Sequence, residues 1–219
     1  PPPFVAMVYG PMGKPNARLP GLHEMGRHHG AKLYCHSLER ERLAKQCELR
    51  LDELLPLEQG SKLPLGAAGM ALEILHTPGH SGGSICIQVS ASGPRSYGVY
   101  TQSVLTGDTV FPGSCGRLDL PDSDKSAMYD SLQRLVRVRN SDPPPPPYWP
   151  RTRFDPSRKQ SGHLIAQEWR AFASRLPQRE LDDSVAVYPG HAYSGERSTV
   201  GQEKKQGLLR AFGKQQWLS

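Results

Sequence analysis

Three residues with metal-ligating side chains each follow a short apolar run that breaks at a glycine-containing turn. His80 closes the segment HTPGH, Asp108 follows the segment LTG, and His191 closes the segment YPGH. Such a turn lets the backbone bend sharply and present the next side chain at the edge of a sheet. Imidazole and carboxylate groups suit zinc, iron or manganese, so these residues are candidates for one metal site assembled by the fold.

Each of these residues has a plainer interpretation when it is taken alone. An isolated histidine is often a hydrogen-bonded structural residue, and an aspartate after a glycine can simply cap a turn. The repetition of strand, turn and ligand favours the metal site over these alternatives.

The elements that would position the three residues are predicted strands. Residues 70–75 alternate apolar and other side chains, which predicts a half-buried strand running into His80. Residues 85–89 and 98–106 flank Ser-Gly-Pro, which predicts a hairpin whose second strand ends before Asp108. The apolar run 185–188 predicts a short strand before His191.

The other predicted elements complete a layered arrangement. The first fifty residues read as strand, helix, strand, helix, beginning with a strand at 4–9. Met128, Leu132 and Leu135 lie at helical spacing, and a final helix is predicted over 202–212. Strands and helices that alternate, with antiparallel pairs among them, predict the α/β (α+β) class.

A proline-rich segment interrupts this pattern at residues 140–162. It contains five consecutive prolines, 143–147, followed by Tyr-Trp-Pro, so it cannot be a helix or a central strand. We interpret it as a surface insertion within a single domain spanning 1–219, with docking of an SH3 or WW domain as the alternative.

Composition limits the classes of partner. The formal net charge is +6, but basic residues alternate with acidic ones, as in ERER at 39–42. The chain has no basic stripe with interleaved aromatic residues, so we expect no nucleic-acid partner. No apolar run approaches the roughly eighteen residues of a membrane span, so we expect a soluble protein with no membrane partner.

The cysteines bear on the compartment. Cys35, Cys47, Cys86 and Cys115 form no CxxC pair and no dense framework, which favours a reduced interior, cytoplasmic or in an organelle matrix. The first residue is proline rather than methionine, so a removed leader stays open.

Three longer stretches resemble, in order, the later motifs of the metallo-β-lactamase superfamily. They are LEILHTPGHSGGSICI at 72–87, LTGDTVFPGSCGRLDLPDSD at 105–124 and VYPGHAYSGERSTVGQEK at 187–204. They look closest to its branch of glyoxalase II, the hydroxyacylglutathione hydrolase, and persulfide dioxygenase. The resemblance implies an αββα sandwich with a metal site at one sheet edge, and a chain that lacks the family's opening strands.

The resemblance also implies roles for individual residues. His80 would ligate a first metal, His191 a second, and Asp108 would bridge them. The metal would be zinc, with iron as the alternative, and a metal-bound water would attack the thioester carbonyl. Arg117 and Tyr193 occupy positions that contact glutathione in glyoxalase II-like enzymes, although a surface cation and a packed aromatic residue explain them equally well.

The first metal-binding motif of the family, HxHxDH, is absent. The segment GPMGKPNARLPG at 10–21 stands where the motif belongs, and it has no histidine and no acid. His23, His28, His29 and His36 lie nearby at the wrong spacing, and we predict that they are surface residues rather than ligands.

Three functions therefore stay open. The first is an impaired or altered hydrolase of glutathione thioesters or similar small thioesters. The second is an iron-dependent persulfide dioxygenase, and the third is a non-catalytic member that kept the fold.

Overall fold

The described residues form strands and helices, and the strands lie in two sheets. The structure is a computed structural model that describes residues 5–7, 20–27, 29–65, 70–91, 103–135, 181–210 and 212–219. Its strands are β1 (Val5–Met7), β2 (Lys32–His36), β3 (Leu54–Leu57), β4 (Lys62–Leu65), β5 (Met70–His76), β6 (Ile85–Ala91), β7 (Ser103–Gly107), β8 (Ala186–Pro189) and β9 (Ser198–Thr199). Its α-helices are α1 (Pro20–Arg27), α2 (Arg40–Cys47), α3 (Lys125–Leu135), α4 (Val200–Lys205) and α5 (Lys214–Leu218), and short 3-10 turns lie at Ser37–Glu39 and Leu51–Glu53.

The smaller sheet contains β1, β2 and β3, which are parallel and lie in that order. Successive residues of a strand point to opposite faces, so β2 divides its side chains between two layers. Leu33 and Cys35 pack with Leu43 of α2, whereas Tyr34 packs against the larger sheet. Helices α1 and α2 therefore cover the outer face of this sheet.

The larger sheet has the strand order β4-β5-β6-β7-β8-β9. Strands β4 to β7 are antiparallel to their neighbours, β7 and β8 are parallel, and β9 is antiparallel to β8. The pairing of β6 with β7, in which Ile87 lies opposite Leu105, agrees with the predicted hairpin. The turn of that hairpin lies outside the described residues.

The two sheets pack face to face, with helices on both outer faces. Leu57 of the smaller sheet and Ile87 of the larger sheet belong to one buried cluster between the sheets. On the far face of the larger sheet, Leu75 packs in a cluster with Met128 and Leu132 of α3. The order of layers is helix, sheet, sheet, helix, so the predicted αββα sandwich is confirmed.

Strand β5 is more buried than the half-buried strand that its sequence predicts. Leu75 and Ile74 are fully buried on opposite faces, because the smaller sheet covers one face and α3 the other. Glu73 is buried as well, and its carboxylate lies 3.5 Å from the ammonium group of Lys62 on β4. The alternating pattern predicts that Glu73 is exposed to water, but its carboxylate is buried and paired with Lys62.

The predicted helix over 202–212 is wrong in both of its bounds. Helix α4 begins earlier, because Thr199 accepts a hydrogen bond from the Gln202 amide at 3.1 Å, while the Gln202 side chain accepts one from the Thr199 amide at 2.9 Å. This reciprocal cap fixes the first turn at Val200. The helix then ends at Lys205, and a separate helix, α5, follows at 214–218.

Not every predicted segment lies within the described residues. The proline-rich segment 140–162 lies outside the described residues, so its role as an insertion stays a prediction. Among the helices that are described, none is long and apolar enough to cross a membrane.

His36 and His76 form a stacked pair between the two sheets, with ring centroids 4.0 Å apart. The prediction that His36 is a surface residue is wrong, since it is 3% exposed. It lies at the end of β2 on the face toward the larger sheet, where His76 covers it. His29 is exposed as predicted, and the side chains of His23 and His28 lie outside the described residues.

Burial also decides the charge of this pair. It lowers the pKa of His36 to about 3 and holds the pKa of His76 well below its usual value, so both rings are neutral at pH 7. Each ring keeps a polar contact: His36 Nδ1 accepts from the Leu38 amide at 3.3 Å, and His76 Nε2 donates to the Gly82 carbonyl at 2.8 Å.

This burial predicts a loss of stability in mild acid. Between about pH 6.5 and pH 3 the unfolded chain binds a proton at His36 that the folded chain does not bind, so the free energy of unfolding falls as the pH falls. From pH 7 to pH 5 this histidine alone should account for about 2 kcal/mol. Urea unfolding at both pH values should show a smaller loss for His36→Gln than for the control His29→Gln. An equal loss in the two variants would contradict the assignment.

Candidate metal centre

The direction of three strands brings the predicted ligands to one edge of the larger sheet. Strand β6 is antiparallel to both β5 and β7, so β5 and β7 run in the same direction. Strand β8 is parallel to β7, so all three strands end at the same edge. His80, Asp108 and His191 lie in the loops that follow these three ends.

The carboxylate of Asp108 lies between the two imidazole rings. His80 Nε2 is 3.3 Å from Asp108 Oδ2, and His191 Nε2 is 3.6 Å from Asp108 Oδ1. The side chains of His80 and Asp108 are each 10% exposed, and that of His191 is 24% exposed. One carboxylate oxygen therefore faces each ring at a site that is open to solvent on the His191 side.

One hydrogen bond of His80 determines which of its two ring nitrogens faces Asp108 with a lone pair. His80 Nδ1 lies 2.9 Å from the carbonyl oxygen of Arg117, and because a carbonyl only accepts, Nδ1 carries the proton and donates it. In the neutral ring, Nε2 then presents a lone pair to Asp108 Oδ2, which is also an acceptor. His80 Nε2 and the carboxylate then face each other at 3.3 Å, an arrangement that a positive charge between them would stabilise.

Close backbone packing holds the Asp108 loop against His80. The Gly116 amide donates to the Asp108 carbonyl at 2.9 Å. A Cβ atom at residue 116 would lie 2.9 Å from both Asp108 Cβ and His80 Nδ1, so only glycine fits. The loop of His191 is held beside the loop of Asp108, because the Gly190 amide donates a hydrogen bond to the Gly107 carbonyl at 2.9 Å.

The donor chemistry fits a metal, but the number of donors is small. Two imidazoles and one bridging carboxylate are the ligand types that zinc and iron accept. In the described part of the chain, no group of three or more His, Cys, Asp or Glu side chains is arranged around a common metal position. Among the described residues, these three side chains alone therefore do not make up a complete metal site.

The two predicted substrate contacts are both exposed, and each contacts a histidine of this site, Arg117 through its backbone carbonyl and Tyr193 through its ring. The Arg117 side chain is 70% exposed, and its guanidinium makes two hydrogen bonds to the Asp119 carboxylate, at 2.9 and 2.7 Å. Tyr193 is 76% exposed, and its ring stacks on that of His191 with centroids 4.7 Å apart. Both side chains are accessible to a ligand, and neither is part of the core.

The sequence interpretation missed Phe111 as a neighbour of the site. Phe111 is buried, and its ring makes edge contacts with His191, at 6.1 Å, and with Tyr193, at 5.8 Å. It lies in the same stretch as Asp108, but only the folded loop brings it under the two rings. Phe111 therefore supports the wall of the site on which His191 and Tyr193 lie.

The chain is similar to known metallo-hydrolases over part of its length. No protein-family model matches it. A probable metallo-hydrolase of Methanocaldococcus jannaschii is 36% identical over 88 residues, which are 40% of this chain and 36% of that protein. A hydroxyacylglutathione hydrolase of Synechococcus is 33% identical over 102 residues, which are 45% of this chain and 33% of that protein. The chain thus spans about a third of the length of these curated relatives.

A solved structure shares the fold. A metallo-β-lactamase from Staphylococcus aureus aligns with a TM-score of 0.58 and 18% identity, over 90% of this chain and 47% of that one. The alignment agrees with the helix, sheet, sheet, helix order of layers. The chain therefore has the metallo-β-lactamase fold, and over part of its length its sequence is similar to metallo-hydrolases, among them a hydroxyacylglutathione hydrolase.

Proposed function

We propose that this chain contributes to a metal-dependent hydrolase that acts on glutathione thioesters or similar small thioesters. The observation that carries the proposal is the placement of the Asp108 carboxylate between His80 Nε2 and His191 Nε2. This arrangement leaves room for a cation and gives it donors of the right chemistry. The similarity to a hydroxyacylglutathione hydrolase supports the thioester class of substrate.

His80, Asp108 and His191 would hold the metal, which we take to be zinc. When bound, zinc supplies a Lewis acid that draws electron density from a thioester carbonyl. The chain's own contribution is to orient its donors. The Arg117 carbonyl fixes the ring of His80 by accepting its Nδ1 proton, and Phe111 supports the ring of His191.

Arg117 and Tyr193 would bind the glutathione part of the substrate. Among the described residues, the guanidinium of Arg117 is bound only to the exposed carboxylate of Asp119, and such an exposed pair is weak because water screens it. A substrate carboxylate can therefore replace Asp119 at little cost. The exposed ring of Tyr193, which stacks on His191, offers an apolar surface.

The small donor set favours one alternative, a non-catalytic domain that kept the fold. Without the HxHxDH motif, neither of two metals would have a full set of protein ligands from the described residues. In that case the chain would bind a metal weakly or not at all, and metal content separates the two proposals.

Elemental mass spectrometry on chain purified without chelator tests the metal centre. We expect near-stoichiometric zinc in the wild type, and its loss in the double variant His80→Ala/Asp108→Ala, because both remove donors. The variant His29→Ala changes an exposed histidine away from the site and should keep the metal. A wild-type chain without metal would contradict the proposal, and iron with consumption of oxygen would indicate the dioxygenase instead.

Steady-state kinetics with a hydroxyacyl thioester of glutathione tests the role of Arg117. Loss of a charge-assisted contact should raise the KM of Arg117→Ala about tenfold and change kcat less than about threefold. Arg50 is a matched control, because it makes the same pair of hydrogen bonds to the carboxylate two residues later, at 2.9 Å each, far from the site in sequence. Equal effects of Arg117→Ala and Arg50→Ala would rule out a specific contact.

A further inference from the structure

Glu39 is a buried carboxylate that contacts the loop carrying His80. It lies at the end of the 3-10 turn before α2 and is 3% exposed. Its Oε1 atom accepts a hydrogen bond from the Gly83 amide at 2.9 Å. A buried carboxylate that binds a backbone amide from a distant loop fixes the position of that loop.

Gly83 is packed directly against this carboxylate. A Cβ atom at residue 83 would lie 2.8 Å from Glu39 Oε1 and 3.0 Å from Glu39 Cδ, so no larger residue fits without a shift. Gly83 and Glu39 therefore pack closely against each other in addition to sharing a hydrogen bond.

Arg42 extends the contact to a second loop of the site. Its guanidinium donates to Glu39 Oε2 at 2.6 Å and also to the Asp122 carboxylate. Asp122 belongs to the segment between Asp108 and α3. The pair formed by Glu39 and Arg42 thus links the loop of His80 to the segment that follows Asp108.

Hydrogen bonds join the residues of the loop that carries His80 to one another. The Thr77 amide donates to the Ser84 carbonyl at 2.9 Å, and the Ser81 amide donates to Ser84 Oγ at 3.0 Å. The Gly82 carbonyl accepts from His76 Nε2 at 2.8 Å. Movement of Gly83 would therefore move the residues around it, His80 included.

We propose that Glu39 is a positioning residue for the metal centre, whose carboxylate holds the loop 77–84 so that His80 Nε2 faces Asp108. The effect of Glu39 on metal binding rests on the proposed function. The effect of Glu39 on the loop is a property of the metal-free chain, so the two effects can be tested separately. Arg42 is part of the same contact, because its guanidinium pairs with the buried carboxylate.

Variants of Glu39 and a core control separate positioning from general stability. Glu39→Ala removes the acceptor, whereas Glu39→Gln keeps an oxygen for Gly83 and loses only the charge. Leu43→Ala is the control, because Leu43 is a fully buried residue of α2 that belongs to the cluster under the smaller sheet. Each variant is compared with wild-type chain by hydrogen exchange and histidine ring signals in NMR spectra, and by zinc affinity in competition with a chelator.

In Glu39→Ala, exchange of the Gly83 amide should rise about tenfold relative to the core amide of Ile87. The signal of the His80 Nδ1 proton should shift or vanish, and zinc affinity should fall about tenfold. Glu39→Gln should raise Gly83 exchange only about threefold and keep the ring signal. Leu43→Ala should lower overall stability and leave the relative exchange, the ring signal and the zinc affinity unchanged.

Unchanged Gly83 exchange or an unchanged His80 ring signal in Glu39→Ala would overturn the proposal, and so would the same changes in Leu43→Ala. If Glu39→Ala does not fold, the rise of Gly83 exchange in Glu39→Gln decides, and its absence overturns the proposal. A wild-type chain that binds no zinc would contradict the proposed function, while the amide and ring signals would still decide the role of Glu39.

Discussion

The placement of Asp108 between two histidines depends on the direction of three strands. Strands β5, β7 and β8 run the same way in the larger sheet, so the loops that follow them meet at one edge. The Arg117 carbonyl accepts a hydrogen bond from His80 Nδ1, which leaves Nε2 facing a carboxylate oxygen at 3.3 Å. A positive charge between two such acceptors would stabilise this arrangement. The chemistry of the site follows from this local constraint.

Buried carboxylates support the loops that carry this chemistry. Glu39 accepts from the Gly83 amide in the loop of His80, and Glu203 of α4 accepts from the Gly113 amide in the loop of Asp108, at 3.1 Å. Both glutamates are 3% exposed. Hydrogen bonds to a charged group are worth about 1.5–3 kcal/mol, enough to hold an irregular loop in one position. The outer layers of the sandwich thus stabilise the site without contributing metal donors.

The sequence predicted the parts of the fold that depend on local pattern. Each of the three predicted ligands follows a strand that ends in a turn, so their approach to one edge could be anticipated. The αββα order came from the resemblance rather than from periodicity. The roles of His80, Asp108 and His191 as metal ligands stay predictions, as does the single domain spanning 1–219.

The features that the sequence did not predict depend on contacts between distant residues. His36 is buried because His76, forty positions later, stacks on its ring between the sheets. Glu39 stands in a charged segment typical of a solvated helix surface, and only its contact with Gly83 distinguishes it. The predicted final helix was misplaced because the cap formed by Thr199 sets its start. Periodicity in sequence carries no information about such partners.

X-ray absorption at the zinc edge of the zinc-loaded chain tests most directly whether His80, Asp108 and His191 form the metal centre. If these residues bind the zinc, its first shell should contain nitrogen and oxygen only, at about 2.0–2.1 Å, with outer-shell scattering from imidazole rings. Imidazole scattering should disappear in the His80→Ala/His191→Ala variant. A sulfur shell at about 2.3 Å, or a spectrum without imidazole, would place the metal on other residues and contradict the account.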